Sequence, residues 1–189
     1  LLAEHGACVV VNDLGGARDG TGSSNSMADS VVEEIRNAGG QAAATYGSVT
    51  EDDAAKAMVQ CAVDNFGRLD ILINNAGILR DRSFKNMTDA EWDAVIEVHL
   101  RGAYLVTKHS WQQMLTQGDG GRIIMTSSTS GLIGNFGQAN YGAAKAGLAG
   151  FMRVLALEGI KYGITVNVLA PAALSRICLL YTSPSPRDL

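Results

Sequence analysis

Three residues in the second half of the sequence have types and a spacing that suit proton transfer. Tyr141 and Lys145 lie four positions apart in a stretch rich in Ala and Gly, so on a helix both side chains face the same side. A free phenol has a pKa of about 10, and a nearby ammonium lowers that pKa because it favours the phenolate. Ser128 follows a predicted strand, and its hydroxyl suits a carbonyl oxygen on which negative charge develops. The set predicts acid/base chemistry at an alcohol or a carbonyl.

The Tyr-x-x-x-Lys spacing alone is weak evidence, because the sequence contains it twice. The second pair is Tyr104 and Lys108, within a long predicted helix. Ser128 lies 13 residues before Tyr141. The residue 13 positions before Tyr104 is Glu91, which is not a Ser and does not follow a predicted strand. We therefore interpret Tyr104 as a packing residue, in the core or at an interface.

Strands and helices that would position these residues alternate along the chain. Short apolar or β-branched runs predict strands at 8–11, 42–46, 69–73, 122–126 and 164–169. Helical periodicity fills the intervening segments, including the long stretches 88–117 and 138–159. This order predicts an α/β fold with a doubly wound parallel sheet of the Rossmann type, covered by helices on both faces.

Capping-box spacings mark three of the predicted helix starts. The pairs are Ser26 with Asp29, Thr50 with Asp53, and Thr88 with Glu91. We therefore predict side-chain caps at Ser26, Thr50 and Thr88.

Polar and glycine-rich loops follow the predicted strands. In an open α/β sheet, ligands bind beyond the carboxyl ends of the strands, so we expect these loops to line one crevice. The loops comprise residues 12–16, 47–48, 74–77, 127–128 and 170–171.

An acidic residue ends the first predicted strand. In a dinucleotide-binding fold, a carboxylate at such a strand end accepts hydrogen bonds from the adenosine ribose and repels a 2′-phosphate. Asp13 occupies this position and no Arg adjoins it, so the sequence favours NAD over NADP. The Gly-rich G-x-G-x-x-G turn that should precede this strand is absent, so we expect the chain to lack its first βα unit.

The composition excludes several classes of protein. The 189 residues carry 15 Lys and Arg against 19 Asp and Glu, a net charge of -4 without a basic run, so nucleic-acid binding is not expected. No apolar stretch is long enough to cross a membrane, and the N-terminus does not resemble a secretory signal. Three widely spaced Cys residues fit neither a disulfide framework nor a metal site. We expect a cytoplasmic protein without a metal, a nucleic-acid partner or a membrane partner.

Together, these motifs resemble the short-chain dehydrogenase/reductase family. The matching positions are Asp13, Asn74-Asn75-Ala76-Gly77, Ser128 and Tyr141-x-x-x-Lys145. Longer stretches, including NNAGILRDRSF from Asn74 and GNFGQANYGAAKAGL from Gly134, are similar to the (3R)-hydroxyacyl-CoA dehydrogenase branch of the family. That branch includes a domain of peroxisomal multifunctional enzyme type 2 and bacterial relatives. The likeness covers residues 1–176, which we expect to be a partial dinucleotide-binding domain.

The resemblance implies a role for each matching residue. Tyr141 would be the general acid/base, Lys145 would bind the nicotinamide ribose and tune Tyr141, and Ser128 would orient the substrate oxygen. Asp13 would hold the adenosine ribose of NAD. The cofactor-binding residues that the resemblance implies besides Asp13 are Ser48 and Val49 at the adenine, Asn75, Ala76 and Gly77 in the cleft, and Tyr141 and Lys145.

Several positions depart from the family pattern. His99 stands where the wider family has a catalytic Asn in a proton relay, although the narrower branch also has His there. His99 is thus either a member of the relay or a helix residue bonded to a backbone carbonyl. Gly47 stands where the narrower branch tends to have Asp, which would alter adenine affinity slightly. Arg80 and Arg82 are either contacts for coenzyme A phosphates or solvated loop charges, and we favour the second interpretation.

The family pattern ends after Arg176. The sequence CLLYTSPSPRD from Cys178 resembles the translation of a sequencing-library adapter, so we expect residues 177–189 to be a non-native tail. The final strand and the substrate-covering lid of the family would then be missing, and the domain would be truncated at both ends.

The resemblance implies an NAD-dependent oxidoreductase of fatty acid metabolism. It would interconvert a secondary alcohol and a ketone, with 3-hydroxyacyl-CoA and 3-oxoacyl-CoA as the favoured pair. A eukaryotic parent would be peroxisomal, and the helices at 88–117 and 138–159 would form a homodimer or homotetramer. For the 189 residues themselves we favour an inactive truncated fragment or a non-catalytic cofactor-binding scaffold. A third alternative is a 3-oxoacyl carrier-protein reductase, against which Asp13 argues.

Overall fold

A computed structural model describes residues 1–17, 19–22 and 24–171 of the chain. The strands among them are β1 (Cys8–Asn12), β2 (Gln41–Thr45), β3 (Ile71–Asn74), β4 (Gly121–Thr126) and β5 (Ile164–Leu169). The α-helices are α1 (Ser26–Asn37), α2 (Asp52–Phe66), α3 (Asp89–Ile96), α4 (Gly102–Gln117), α5 (Thr129–Leu132) and α6 (Ala139–Gly159). All five predicted strands are confirmed, with bounds shifted by at most two residues. The expectations about the tail 177–189 lie outside the described residues.

The strands are parallel throughout, as the alternating order predicts. β1 pairs with β2, and β3, β4 and β5 pair in that order. Helices connect successive strands, because a parallel neighbour is reached only through a crossover. The α/β class and the Rossmann-like parallel arrangement are therefore confirmed.

The strands nevertheless form two sheets, whereas the sequence predicted one. No described strand lies between β1 and β3, so each of these strands has one edge that pairs with nothing in the described part of the chain. One face of β3 is also open: Ile71 and Ile73 are 44% and 42% exposed. Apolar side chains of a parallel strand are normally covered by helices, so this region departs from a closed doubly wound sheet.

The main core lies where the three-stranded sheet packs against α4 and α6. Met114, Ile123, Met125, Leu148 and Ile164 are each at most 1% exposed and form one cluster. This packing fixes the carboxyl end of β4 beside the first half of α6, which carries the candidate catalytic residues.

One of the three predicted capping boxes is confirmed. The Thr88 hydroxyl accepts a hydrogen bond from the Glu91 backbone, and the Glu91 carboxylate accepts one from the Thr88 backbone. The predictions at Ser26 and Thr50 are wrong, because the hydroxyls pair with other hydroxyls instead. Ser26 Oγ lies 2.7 Å from Ser24 Oγ, and Thr50 Oγ1 lies 2.8 Å from Ser48 Oγ.

The long helical stretch predicted at 88–117 contains a local change of winding. A π-helical turn, Glu97–Arg101, separates α3 from α4. Such turns are rare and frequently occur at functional sites. Here the turn carries His99, whose side chain points into the protein interior at 3% exposure. No helix in the described part of the chain is both long and apolar enough to cross a membrane.

Candidate active site

α6 positions the two residues of the Tyr-x-x-x-Lys spacing. Tyr141 and Lys145 are both buried, at 8% and 3% exposure. Lys145 Nζ lies 5.5 Å from the centroid of the Tyr141 ring, and it donates a hydrogen bond to the backbone oxygen of Thr126, 2.5 Å away. The ammonium is thereby held between the end of β4 and the phenol ring.

Burial changes the acidity of the Lys145 ammonium. The pKa of Lys145 is lowered from 10.5 to about 8, because burial penalises the charged form. The side chain can therefore lose or regain its proton close to neutral pH, as a partner in acid/base chemistry requires.

Ser128 lies at the end of β4, where it caps the short helix α5. Its Oγ accepts a hydrogen bond from the Ser130 backbone at 3.2 Å, which leaves the hydroxyl proton available to donate. The adjacent Ser127 Oγ donates to the Lys145 carbonyl at 2.8 Å. These contacts attach the Ser127–Ser128 loop to the helix that carries Tyr141.

A glycine allows this close approach of α5 to α6. A Cβ placed on Gly131 would lie 2.7 Å from the Lys145 carbonyl carbon and from the Ala146 backbone nitrogen. A residue with a side chain would force the two helices apart, and with them the loop that carries Ser128.

His99 lies directly beside the Tyr141 ring. The two ring centroids are 5.1 Å apart, and the rings are perpendicular. His99 Nε2 lies 2.8 Å from the Ile78 carbonyl oxygen and 3.1 Å from the Ile78 backbone nitrogen, so it donates to one or accepts from the other according to the tautomer. The backbone-carbonyl contact considered at the sequence level is therefore present, next to the candidate acid/base residue.

The His99 ring is neutral at physiological pH. Burial, together with the nearby Lys145 charge, lowers the pKa of His99 from 6.5 to about 3. Its Nδ1 atom is buried and has no hydrogen-bond partner in the described part of the chain. According to the tautomer, this ring nitrogen can accept a hydrogen bond from a substrate group or a water, or donate one.

Seven of the eight predicted cofactor residues line one cavity of about 1180 Å³. This volume exceeds the roughly 300–1,000 Å³ of ordinary ligand sites, because the cavity continues into the gap between β1 and β3. Of the five loops expected to form one crevice, those at 12–16, 47–48 and 74–77 contribute to this cavity, while 127–128 and 170–171 do not. Tyr141 does not line the cavity. The predicted cofactor residues that do are Asp13, Ser48, Val49, Asn75, Ala76, Gly77 and Lys145.

The local geometry of these residues suits a dinucleotide. Asp13 Oδ1 accepts from the Gly15 backbone at 2.6 Å, which orients the carboxylate at the cavity wall. The Asn12 side chain donates to the Gly47 carbonyl at 3.2 Å and so joins the first two strand ends. A Cβ on Gly77 would overlap the His99 ring, so only glycine lets this backbone lie against the ring. We find that the residues present fit the adenosine and nicotinamide ends of such a cofactor.

The two arginines considered for phosphate binding are engaged elsewhere. Arg80 Nε donates to the Asp19 carbonyl at 2.5 Å, and Arg82 pairs with Glu91 at 3.0 Å. Tyr104 of the second Tyr-x-x-x-Lys pair is 47% exposed and tilts against Phe151, so it lies outside the core, and its place at an interface stays a prediction. Among the described residues, no group of three His, Cys, Asp or Glu side chains is arranged to hold a metal ion.

Sequence reasoning missed two buried amides that precede Tyr141. Gln138 and Asn140 are 2% and 0% exposed, and each forms several hydrogen bonds. Their signal in the sequence is the presence of two carboxamides at the start of a helix otherwise made of small and apolar residues. This signal does not by itself indicate burial, because polar residues at a helix start are commonly solvated.

Comparison with known proteins identifies relatives over most of the chain. The family model described as short chain dehydrogenase matches residues 2–176. A short-chain type dehydrogenase/reductase of Mycobacterium tuberculosis is 54% identical over 176 residues, covering 93% of this chain and 61% of that protein. Peroxisomal multifunctional enzyme type 2 of Mus musculus is also 54% identical over 176 residues, covering 93% of this chain and 23% of the mouse protein.

A more distant relative and a solved structure have names of the same kind. A hydroxyacyl-CoA dehydrogenase of M. tuberculosis is 42% identical over 179 residues, covering 91% of this chain and 55% of that protein. The crystal structure of a short chain dehydrogenase from Mycobacterium avium matches with a TM-score of 0.83 and 48% identity, covering 92% of this chain and 62% of that one. The chain thus spans less than two-thirds of the length of each of these four proteins.

Proposed function

This chain belongs to the short-chain dehydrogenase family, and from that premise we propose that it carries the catalytic residues of an NAD-dependent oxidoreductase. The reaction is the interconversion of a secondary alcohol and a ketone, with 3-hydroxyacyl-CoA and 3-oxoacyl-CoA as the substrate pair. The observation that carries the proposal is the position of the Lys145 ammonium, between the Thr126 carbonyl and the Tyr141 ring.

The proton chemistry follows from this arrangement. Tyr141 takes the proton of the substrate hydroxyl in the oxidation and returns it in the reduction. The Lys145 ammonium beside the ring stabilises the phenolate, the form that takes the proton in the oxidation and is left after the reduction, because an opposite charge nearby favours the ionised phenol. Ser128 donates a hydrogen bond from its hydroxyl to the substrate oxygen and holds that oxygen while its charge changes.

Asp13 and the lining residues of the cavity hold the cofactor in this proposal. A bound nicotinamide dinucleotide supplies the acceptor for the substrate hydride. The Asp13 carboxylate accepts hydrogen bonds from the adenosine ribose hydroxyls and repels a 2′-phosphate, which favours NAD. Ser48 and Val49 would flank the adenine, and Lys145 would contact the nicotinamide ribose; all three line the cavity.

The surroundings of Ser128 and the names of the relatives support the assignment of an acyl substrate. Leu132 is the last residue of the short helix that Ser128 caps and Ile133 follows it, and they are 57% and 87% exposed. Phe84, 77% exposed, lies in a neighbouring segment, because the Arg82 backbone donates to the Gly137 carbonyl at 2.8 Å. These apolar side chains offer a surface for an acyl chain, and a hydroxyacyl-CoA dehydrogenase is among the relatives.

His99 acts beside Tyr141 in this proposal. Its neutral ring, with one nitrogen engaged at Ile78 and the other without a partner among the described residues, takes the position of the relay Asn of the wider family. In the tautomer whose Nε2 donates to the Ile78 carbonyl, Nδ1 is an acceptor for a hydrogen bond from a substrate group or a water.

A second candidate function is a fragment that cannot turn over substrate, or a scaffold that only binds cofactor. It is favoured by the free edges of β1 and β3, which face the cofactor cavity without an intervening strand among the described residues.

We also propose that the chain forms a homodimer or homotetramer through α4 and α6. Tyr104 on α4, together with Val154 and Leu157 on α6, is between 47% and 73% exposed, and these are apolar side chains on two adjacent long helices. Light scattering during gel filtration measures the assembly. A monomer at micromolar concentration would contradict this part of the proposal.

NADH absorbance tests the function directly. The chain is incubated with NAD and a short 3-hydroxyacyl-CoA, and binding of NAD is measured in parallel by isothermal titration. Turnover that is lost in the Tyr141→Phe variant, with NAD affinity unchanged, supports the proposal. Retained turnover in that variant overturns the assignment of Tyr141, and a chain that binds NAD without turnover supports the scaffold.

A further inference from the structure

Two buried amide side chains lie immediately before the candidate acid/base residue. Gln138 is the N-cap residue of α6, and Asn140 occupies its second position. A buried amide is costly unless its polar atoms are paired, so its partners indicate what it holds in place.

Asn140 holds the backbone of Tyr141. Its Oδ1 accepts a hydrogen bond from the Tyr141 N–H at 2.7 Å, and its Nδ2 donates to the carbonyls of Arg80 and Glu91, each at 3.0 Å. The Tyr141 N–H is one of the first four of a helix, which have no partner within the helix. Asn140 thus connects the start of α6 with residue 80 and with α3.

Gln138 holds the loop that carries Ser128. Its Oε1 accepts from Ser130 Oγ at 2.7 Å, and its Nε2 donates to Asp81 Oδ2 at 2.8 Å. The Ser130 backbone in turn donates to Ser128 Oγ at 3.2 Å. The contacts therefore form a series from Asp81 through Gln138 and Ser130 to Ser128.

Both amides are anchored on adjacent residues of one loop. Asn140 binds the carbonyl of Arg80, and Gln138 binds the carboxylate of Asp81. A single segment of two residues is therefore the common reference for the Tyr141 backbone and the Ser128 hydroxyl. A displacement of the Tyr141 backbone relative to Ser128 Oγ therefore strains a contact to this segment.

We propose that Asn140 and Gln138 are positioning residues, which set the Tyr141 phenol and the Ser128 hydroxyl at a fixed separation by anchoring both on Arg80–Asp81. The proposal rests on the function proposed above, in which those two groups act on one substrate oxygen. A misplacement of about 1 Å far from the chemistry can lower a rate by on the order of 100-fold. The amides therefore act on kcat, and they leave the affinity for NAD unchanged.

A donor–acceptor exchange between Gln138 and Asp81 tests the proposal. Gln138→Glu keeps the acceptor for Ser130 but sets two carboxylates against each other, so we expect kcat to fall by on the order of 100-fold. Adding Asp81→Asn restores a donor facing an acceptor, and the double variant Gln138→Glu, Asp81→Asn should recover most of the lost rate. Recovery by a second substitution separates positioning from general damage to the fold.

Gln117→Glu is the matched control. Gln117 also binds through its amide, to the backbone N–H and carbonyl of Leu69 and to the Gln113 side chain, far from Tyr141 along the chain. We expect its substitution to lower stability while leaving kcat and the KM for the acyl substrate unchanged. Equal kcat losses in Gln117→Glu and Gln138→Glu, or a double variant that stays as slow as Gln138→Glu, would overturn the proposal.

A spectroscopic measurement keeps the proposal testable in a chain without turnover. The midpoint of the Tyr141 phenol titration is obtained from the absorbance difference between each chain and its Tyr141→Phe counterpart. Asn140→Ala and Gln138→Glu should shift this midpoint, since they move the phenol relative to Lys145, and the Gln138→Glu, Asp81→Asn double variant should restore it. Shifts without turnover would support the positioning role and reject the proposed activity. Turnover with an unaltered kcat and an unaltered midpoint in both single variants would support the proposed activity and reject the positioning role.

Discussion

The Nζ atom of Lys145 donates a hydrogen bond to the backbone oxygen of Thr126, across a distance of 2.5 Å. This bond joins the last residue of β4 to the first half of α6. The ammonium is buried between them, so its protonation is linked to the stability of the fold as well as to the chemistry.

Stability should rise with pH through the titration range of Lys145. The folded pKa is about 8, below the ordinary 10.5, so the unfolded chain binds more protons between these two values. We expect the free energy of unfolding of the chain to increase by about 3 kcal/mol from pH 8 to pH 10.5, relative to the Lys145→Met variant. Urea unfolding of both chains at several pH values measures the difference. A difference that is constant with pH would contradict the lowered pKa.

His99 should destabilise the fold in acid. Its folded pKa of about 3 lies below the ordinary 6.5, so the stability present above pH 6.5 is lost as the pH falls towards 3. At pH 5 we expect the free energy of unfolding to be about 2 kcal/mol lower than at pH 7 because of His99. His99→Asn should remove this loss, since Asn carries no titratable proton in this range. Urea midpoints of the two chains at pH 7 and pH 5 test this. His109→Asn, at a partly exposed His, is the control and should leave the loss at pH 5 in place.

Asp13 should determine the choice between NAD and NADP. Removing the carboxylate in Asp13→Ser removes the repulsion of a 2′-phosphate and the hydrogen bonds to the ribose. We expect the ratio of NADP to NAD affinity to rise by about tenfold or more, an energy of about 1.4 kcal/mol. Isothermal titration with both nucleotides provides the measurement. Asp19→Asn, in the same loop, should leave the ratio unchanged. Equal ratios in the original chain, Asp13→Ser and Asp19→Asn would refute the assignment of Asp13 to the adenosine ribose.

Gly131 and Gly150 should respond in opposite directions to alanine. A Cβ at Gly131 meets the Lys145 backbone at 2.7 Å, whereas a Cβ at Gly150 in α6 meets nothing within 4 Å. We expect Gly131→Ala to cost about 1–3 kcal/mol through overpacking and to lower turnover with it. Gly150→Ala should stabilise the helix by roughly 0.5–1 kcal/mol, because alanine loses less backbone entropy. Thermal unfolding of both variants gives the comparison, and a tolerated Gly131→Ala would contradict the close packing of α5 on α6.

The elements were predictable because their signals are local. Period-2 and period-3.6 patterns depend on neighbouring residues, so all five strands and the helix with Tyr141 and Lys145 could be read directly. The Thr88 cap was predictable for the same reason. Ser26 and Thr50 have the same spacing but pair with Ser24 and Ser48, and competition between hydroxyls leaves no trace in the spacing.

Features that depend on distant contacts were not predictable. The π-helical turn around His99 and the burial of Gln138 and Asn140 arise from segments that are far apart in sequence, such as residues 78–81 against 138–140. The division into two sheets arises in the same way. The residue pattern of β1 or β3 does not show which of its edges is paired, because that depends on the arrangement of the other strands.

The two free strand edges have a consequence for strand pairing. β1 and β3 each present a row of backbone N–H and C=O groups that no described strand satisfies, and Ile71 and Ile73 expose apolar surface beside one of these rows. An unpaired edge of this kind can template a further strand. The two edges that border the cofactor cavity therefore offer backbone partners to one more strand.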